Sequence, residues 1–202
     1  MNKFFTTLIA VCAISTAAFS QTKGTTQFGI QVGYNATTVT ASGYTNTDYR
    51  SGFNAGIVMD HYFSDSWSFK AKALYDQKGW NNGYVITPAG TTFTNFKVDY
   101  VSIPLMANWH FGRTKNWYLN FGPYVGVLLN AKESAGGTDF KDYFNSTDVG
   151  LDLGIGVKFP VTNTTRFFIE LNGAGGITDM VKNNTGPVLR NSASSVNIGF
   201  AF

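Results

Sequence analysis

The chain has 202 residues, a formal net charge of +3, and 13% charged and 16% aromatic residues. Its length suits a single domain, and its low charge excludes an ordinary water-exposed surface, since soluble domains contain about 25% charged residues. The small, scattered net charge gives no support for a nucleic-acid partner, and we expect none.

The N-terminal segment resembles a secretory signal peptide. Lys3 supplies a basic start, residues 4–13 form an apolar stretch, and residues 18–20 have the small-x-small pattern of a cleavage site. We expect a cleaved signal peptide at 1–20 and a mature barrel domain at 21–202. A lipoprotein signal is the alternative, but Val11 precedes Cys12 where such a signal needs a small residue.

Removal of this signal would also remove Cys12, the chain's one cysteine. The mature protein is then expected to have neither a disulfide nor a thiolate metal site. After the signal, no apolar run reaches the roughly 18 residues that a membrane helix needs. A closed β-barrel is the remaining way to cross a bilayer, because it satisfies every backbone N–H and C=O group without water.

Residues 27–35 alternate between two faces with the period of a β-strand. Phe28, Ile30, Val32 and Tyr34 form one row, and polar residues or glycine form the other. The pattern returns in seven further segments: residues 52–63, 67–78, 96–111, 117–130, 148–159, 166–177 and 195–202. The sequence therefore predicts an all-β fold, an eight-stranded antiparallel up-and-down transmembrane β-barrel preceded by a cleavable signal peptide.

The connections between these segments alternate in length, as they do in bacterial outer-membrane barrels. Short connections lie at 64–66, 112–116 and 160–165, and long ones lie near 36–51, 79–95, 131–147 and 178–194. Short turns face the periplasm in such barrels and long loops face the exterior. We therefore expect the cell outer membrane as the location, with both chain ends in the periplasm.

Aromatic residues cluster near the short connections, where a membrane-interface girdle is expected. They are Trp67, Trp109, Trp117, Phe63, Phe111, Phe159 and Phe167. A tilted strand of about ten residues crosses about 25 Å of apolar thickness. Counted back from Phe111, this length places Lys97 and Asp99 above the lipid.

The row opposite the apolar one carries charges of both signs, interleaved with glycine. Its members are Asp60, Lys70, Lys72, Asp76, Asp152, Lys158, Arg166 and Glu170. Such a row suits a narrow polar lumen with internal ion pairs, and an interior of eight strands can be filled by side chains. Simple hairpin register places Asp60 opposite Lys70, so we predict an ion pair between them.

Three segments, 100–105, 121–124 and 148–154, read Tyr-Val-Ser-Ile-Pro-Leu, Phe-Gly-Pro-Tyr and Asp-Val-Gly-Leu-Asp-Leu-Gly. In this order and spacing they resemble the PorT-like outer-membrane β-barrel family, which implies the fold and the location. That family is functionally mixed and implies no catalytic motif. The last strand also looks like the signal that barrel-assembly machinery recognises, which implies an assembly role for Gly199, Phe200 and Phe202.

Two prolines, Pro104 and Pro123, fall inside predicted strands. Proline lacks the backbone donor of a sheet ladder, and a closed barrel offers no free edge. Counting across the turn places Pro104 beside Pro123 or Tyr124. We therefore expect a bulge where both missing donors share one local gap.

Candidate catalytic groups are few. His61 and His110, the two histidines of the chain, fall near short turns and are interpreted as interfacial polar residues. Asp152 and Glu170 are assigned to internal salt bridges, since lysine and arginine share their face. We expect no enzyme activity, catalytic residue, cofactor or metal.

The long connections contain many aromatic residues: Tyr44, Tyr49, Trp80, Tyr84, Phe93, Phe140, Tyr143 and Phe144. They are expected to extend an upper girdle or pack the loops together, with binding of a partner as the alternative.

The sequence is most consistent with a non-enzymatic outer-membrane barrel with a structural, adhesive or assembly and secretion-associated role. Its expected partners are outer-membrane lipid, the barrel-assembly machinery and an unidentified extracellular or periplasmic protein. Alternatives are a small transport pore, a lipid-modifying enzyme, and a secreted soluble barrel that binds an apolar ligand, since soluble barrels pack apolar side chains inside.

Overall fold

The structure is a computed structural model that describes residues 23–41, 47–87, 90–134 and 137–202. The predicted signal peptide at 1–20 and Tyr44 lie outside these ranges. Eight strands follow one another along the chain: β1 Thr26–Ala41, β2 Asp48–Tyr62, β3 Trp67–Thr87, β4 Gly90–Phe111, β5 Trp117–Glu133, β6 Thr147–Pro160, β7 Arg166–Gly176 and β8 Leu189–Ala201. A short 3-10 helix, Lys141–Tyr143, lies between β5 and β6.

Each strand pairs with its sequence neighbour in antiparallel fashion, and β1 pairs with β8 to close the ring. The predicted eight-stranded antiparallel barrel is confirmed. We call the end with the tight connections β2–β3, β4–β5 and β6–β7 the short-turn end, and the opposite end the long-loop end. In the described ranges, no helix combines the length and apolarity needed to span a membrane.

The apolar rows point out of the barrel and the charged rows point in. On β6, Leu151, Leu153 and Ile155 are 61, 57 and 41% exposed, whereas Asp152 and Lys158 are 7 and 3% exposed. This inverts the arrangement of a soluble barrel, in which apolar side chains fill the interior. The outer wall is therefore suited to hydrocarbon, and the interior must satisfy buried charges.

Six strands continue at least three residues further toward the long-loop end than the alternation predicts, and four of them by six residues or more. β1 reaches Ala41, β8 begins at Leu189, and β3 and β4 form a long hairpin whose pairing continues to Thr87 and Gly90. Above an apolar band the outward side chains face water, so both faces of a strand can be polar. The contrast between faces fades there although the backbone ladder continues.

Three register shifts lie near the long-loop end, and the first is in the β2–β3 ladder between Tyr49 and Asn54. The β3–β4 ladder shifts between Trp80 and Gly83, and the β4–β5 ladder shifts at Asp99 and Tyr100, where Leu129 is left without a directly opposite residue. An extra residue changes which side chains face inward. Beyond the β4–β5 shift, Ala131 is fully buried and Lys132 is exposed.

The prolines interrupt pairing without shifting the register. Pro104 lies opposite Tyr124, as predicted. The β4–β5 ladder is interrupted next to Pro123. The β3–β4 ladder is interrupted next to Pro104. The two missing donors thus fall in adjacent ladders, and the expectation of one shared bulge was wrong. A short break in each ladder accommodates a proline when the strands keep their alignment.

The interior changes character along its axis. Toward the long-loop end the inward residues form an apolar cluster, which we call the outer cluster: Val39, Trp80, Phe96, Val98, Tyr100, Leu128, Ala131, Phe144 and Met180. The charged residues lie below it, between the outer cluster and the short-turn end. Once the wall is in water, an apolar interior becomes favourable, as in a soluble barrel.

Candidate functional site

Glu170 on β7 lies at the centre of the first group of buried lumenal charges. Its carboxylate accepts a hydrogen bond from Lys70 Nζ at 3.2 Å and another from Lys72 Nζ. Asn120 Nδ2 donates to the same carboxylate at 2.8 Å. The side chain of Glu170 is wholly buried, and the two lysine side chains are 3 and 2% exposed. One anion therefore holds two cations in a buried interior.

Asp60 on β2 is the anion of the second group. Lys158 Nζ donates to it at 2.8 Å and also bonds the Tyr62 hydroxyl at 2.6 Å. Asn108 Nδ2 donates to both carboxylate oxygens, at 3.3 and 3.1 Å. Ser68 donates as well. All the lone pairs that face the lumen are thereby engaged, as a buried carboxylate requires.

The predicted ion pair between Asp60 and Lys70 was wrong. Their Cα atoms are directly opposite in the β2–β3 ladder, yet Lys70 pairs with Glu170 and Asp60 pairs with Lys158. A lysine side chain is long enough to cross the narrow lumen of an eight-stranded barrel. Partners are thus set by what lies across the interior and not by the adjacent strand.

Lys78 on β3 lies at the centre of a third group, in which Asp76 belongs to the predicted lumen network whereas Lys78 and Asp148 do not. Its Nζ lies 3.4 Å from Asp148 and 3.7 Å from Asp76. Tyr124 donates to Asp148 at 2.9 Å, and Ser102 donates to Asp76 at 2.8 Å. Lys78 follows Asp76 by two residues, and Asp148 precedes Asp152 by four. Residues at such even spacings share one face of a strand, so the alternation could have predicted that Lys78 and Asp148 face the lumen.

The remaining members of the predicted polar row also face inward. Asp152 and Arg166 are each 7% exposed. Among the described residues Asp152 forms no ion pair, so its assignment to an internal salt bridge was wrong. The spaces left between lumenal side chains have volumes of about 30 and about 10 Å³. Such spaces hold a water molecule or two, since one water needs about 10 to 15 Å³. In the described residues the lumen is therefore filled by side chains.

The two histidines lie on opposite faces of the wall. His61 is exposed and its Nδ1 lies 2.8 Å from Thr26 Oγ1. His110 is fully buried, with Nε2 2.9 Å from Ser68 Oγ and its ring 4.9 Å from that of Tyr62. Ser68 donates to Asp60 and not to His110. A nucleophilic triad needs the order serine, histidine, carboxylate, with access to a substrate.

Aromatic rings follow one another around the short-turn end. Trp67 stacks with Trp109 at 6.3 Å, Trp109 with Phe111 at 5.0 Å, and Phe111 with Trp117 at 6.5 Å. On the far side Phe159, Phe167 and Phe200 are 6.2 and 5.4 Å apart. Phe63 is 52% exposed at the same end. The predicted girdle residues thus form two arcs of outward-facing rings.

The last strand closes the barrel at this end. Phe28 and Phe202 exchange two backbone hydrogen bonds, of 3.3 and 2.7 Å. Phe200 and Phe202 point outward, 40 and 56% exposed. Gly199 faces inward, where a Cβ atom would clash with the Phe168 ring. The three residues of the predicted assembly signal therefore occupy the seam between β8 and its neighbours.

The described loop aromatics divide into two sets. Tyr49, Phe93 and Tyr143 are each 66% exposed, and Tyr84 is 41% exposed. Trp80 and Phe144 are both 5% exposed within the outer cluster, and Phe140 packs against it. Packing explains the second set, whereas the first set is exposed at the long-loop end.

Solved structures with a similar fold are outer-membrane barrels. OprG from Pseudomonas aeruginosa is 14% identical, with a TM-score of 0.51 over 90% of this chain and 97% of that chain. Neisserial surface protein A is 20% identical, with a TM-score of 0.51 over 87% and 97% of the two chains. AlkL, solved in lipid bilayers, is 9% identical, with a TM-score of 0.50 over 91% and 92%. These similarities concern the fold.

No curated protein sequence matches the chain. A family model described as the outer membrane protein beta-barrel domain matches residues 19–182, which is most of the chain. Its barrel topology, outward apolar rows and buried polar lumen agree with that match. The protein lies in the outer membrane and belongs to the outer membrane protein beta-barrel domain family.

Proposed function

We propose that this protein is a non-enzymatic, non-conducting outer-membrane barrel that anchors a contact surface on the cell exterior. We place the barrel domain at 21–202 after a cleaved signal peptide at 1–20, and the chain among PorT-like barrels. The observation that supports the proposal best is the filled lumen. A structural, adhesive or secretion-associated role needs an anchored scaffold, not a water-filled path.

The lumenal charges argue against the small transport pore. Conduction needs a continuous wet path lined by groups that bind an ion weakly enough to release it. Here Lys70 and Lys72 are held by Glu170, and Lys158 is held by Asp60. Opening a path would strand at least one buried charge without its partner, at a cost of several kcal/mol.

The buried polar groups also argue against an enzyme. His110 and Ser68 are both fully buried, at 0% exposure. Their hydrogen bonds to Asp60 and Asn108 are those of a lumenal packing network. A lipid-modifying enzyme would need its base and nucleophile open to the outer leaflet or the exterior.

The exposed aromatic residues support the contact role. Phe93 lies on the β3–β4 hairpin and Tyr143 on the 3-10 helix, and each is 66% exposed. Contiguous apolar surface beyond the lipid marks an interaction site. We propose an extracellular protein or glycan as the partner. We propose that the assembly signal, Gly199, Phe200 and Phe202, binds the barrel-assembly machinery while the barrel is being assembled.

Recording from planar lipid bilayers tests the proposal. Wild-type protein, inserted from detergent and shown to be folded by heat-modifiable mobility on a gel, should produce no resolved current steps in concentrated potassium chloride. Protease protection of the inserted protein in the same lipids controls for failed insertion. Regular current steps from protected, folded protein would overturn the proposal and favour the pore.

A further inference from the structure

A cavity at the long-loop end lies directly above the outer cluster. Its volume is about 520 Å³, within the range of about 300 to 1,000 Å³ that is common for small-molecule sites. It is lined by parts of β1, β3, β4, β8, the 3-10 helix and the segment after β7. Exposed residues such as Tyr143 and Pro187 form part of its rim.

Aromatic rings supply the walls of this cavity. Trp80 stacks on Phe96 at 4.6 Å, Phe144 meets the Trp80 ring edge-on at 6.2 Å, and Phe140 meets Phe96 edge-on at 5.8 Å. Because Trp80, Phe96 and Phe144 are buried in the outer cluster, their positions are fixed by packing. A wall of fixed rings favours a ligand that offers a flat, apolar face.

The cavity is free of charge. Among the described residues that line it, none is Asp, Glu, Lys, Arg or His; the polar ones include Thr47, Asn82 and Asn184. A charged ligand would lose its hydration here without gaining an ion pair. The lining therefore selects for neutral molecules.

The floor of the cavity is closed. Below the outer cluster, Lys78 is paired with Asp148 and Asp76, and Tyr124 hydrogen-bonds Asp148. An apolar molecule that entered the cavity would meet these buried charges and the filled lumen. The cavity is therefore a terminal binding site and not the mouth of a path.

We propose that the cavity binds a neutral, apolar small molecule with at least one ring, taken from the exterior. The rings of Trp80, Phe96 and Phe144 stack on the ligand, and Val85 and Leu189 contact its edges. The contact surface formed by Phe93 and Tyr143 meets this site only at Tyr143 on the rim, and the proposed stacking rings of Trp80, Phe96 and Phe144 take no part in that surface. Failure of one proposal would leave the other standing.

Binding of 1-aminoanthracene, a fused-ring amine that is uncharged at neutral pH and fluoresces in apolar surroundings, tests the proposal. The full mature chain is placed in phospholipid nanodiscs, and empty nanodiscs of the same lipid give the background from partitioning. Saturable binding above this background is expected. Anthracene-9-carboxylate, which has the same rings and a negative charge, should bind at least about tenfold more weakly.

Two substitutions on the same hairpin provide the matched comparison. Val85→Trp fills the cavity and should weaken binding at least about tenfold. Phe93→Trp adds the same side chain at an exposed position that does not line the cavity, and should bind like wild type. Phe144→Ala removes a wall and should also weaken binding. Heat-modifiable mobility shows that each variant is folded.

Trp80→Phe localises the ligand. Trp80 is one of four tryptophans, and the other three lie at the short-turn end. The ligand should quench part of the wild-type tryptophan emission, and this quenching should disappear in Trp80→Phe while the probe still binds. Binding equal to that of empty nanodiscs, or equal binding by wild type and folded Val85→Trp and Phe144→Ala, would overturn the proposal.

Discussion

Glu170 is the anion that two lumenal lysines share. Substitution of Glu170 should therefore destabilise the protein more than substitution of a carboxylate in a single ion pair. Both lysines are buried, and Lys70 also lies over the Tyr118 ring at 3.8 Å. A buried ion pair stabilises a protein little more than a well-packed apolar group does, but the loss of one partner leaves the other charge buried and unpaired. Removal of Glu170 would leave two lysine charges unpaired.

Glu170→Gln should therefore lower the free energy of unfolding by about 3 to 5 kcal/mol, as expected when a buried charge loses its partner. Equilibrium unfolding in urea with phospholipid vesicles measures this. Asp65→Asn, at an exposed turn position, should change stability by less than about 0.5 kcal/mol. Adding Lys70→Met and Lys72→Met to Glu170→Gln should recover most of the loss. Wild-type stability of Glu170→Gln would contradict the shared-anion interpretation.

Residue types and facing in the lumen could be predicted from the alternation, but partners could not. The row of Asp60, Lys70 and Glu170 follows from period two, since every second residue of a strand shares a face. That Glu170 bonds Lys70 and Lys72 depends on which strands stand across the closed ring. Which strands face each other across the lumen depends on the stagger of the whole closed barrel. Counting residues across one hairpin does not reveal that stagger.

For individual strands, β6 shows that a regular alternation of apolar and polar residues predicts the strand bounds well. Residues 148–159 alternate without interruption and the structure has a strand there, Thr147–Pro160. The β3–β4 hairpin shows the limit, because residues 79–95 were expected to be loop and are mostly strand. Glycine and asparagine at positions 79–83 suggest a turn, whereas Gly79 and Asn82 have positive φ within a bulged ladder.

Leu153→Arg tests whether the outward row of β6 faces lipid. An arginine near the bilayer midplane should cost about 2 to 4 kcal/mol, so the folded, membrane-inserted fraction should fall. The control is Val161→Arg in the β6–β7 turn, since Val161 and Leu153 are both 57% exposed. Quantitative blots of washed outer membranes, with and without boiling, compare the variants. Equal levels of the two would show that Leu153 does not contact hydrocarbon.

Over the whole molecule, the barrel consists of two stacked parts with opposite interiors. Near the short-turn end, ion pairs fill the lumen and apolar residues face outward. Near the long-loop end, the interior is the outer cluster, and Lys97 and Lys132 face outward. A wall in lipid and a wall in water require these opposite arrangements. We therefore expect the barrel to leave the membrane where the interior changes.

This two-part arrangement predicts that the long-loop end faces the cell exterior. In Tyr143→Cys, the new thiol lies on a side chain that is 66% exposed above the outer cluster, so a 5-kDa maleimide–polyethylene glycol should label it on intact cells. Val161→Cys, in a tight turn at the opposite end, should be labelled after the outer membrane is permeabilised and not before. The chain's own cysteine lies in the predicted signal peptide, and unlabelled wild type controls for it. Labelling of Val161→Cys on intact cells would show the opposite orientation. The cavity at the long-loop end would then lie in the periplasm.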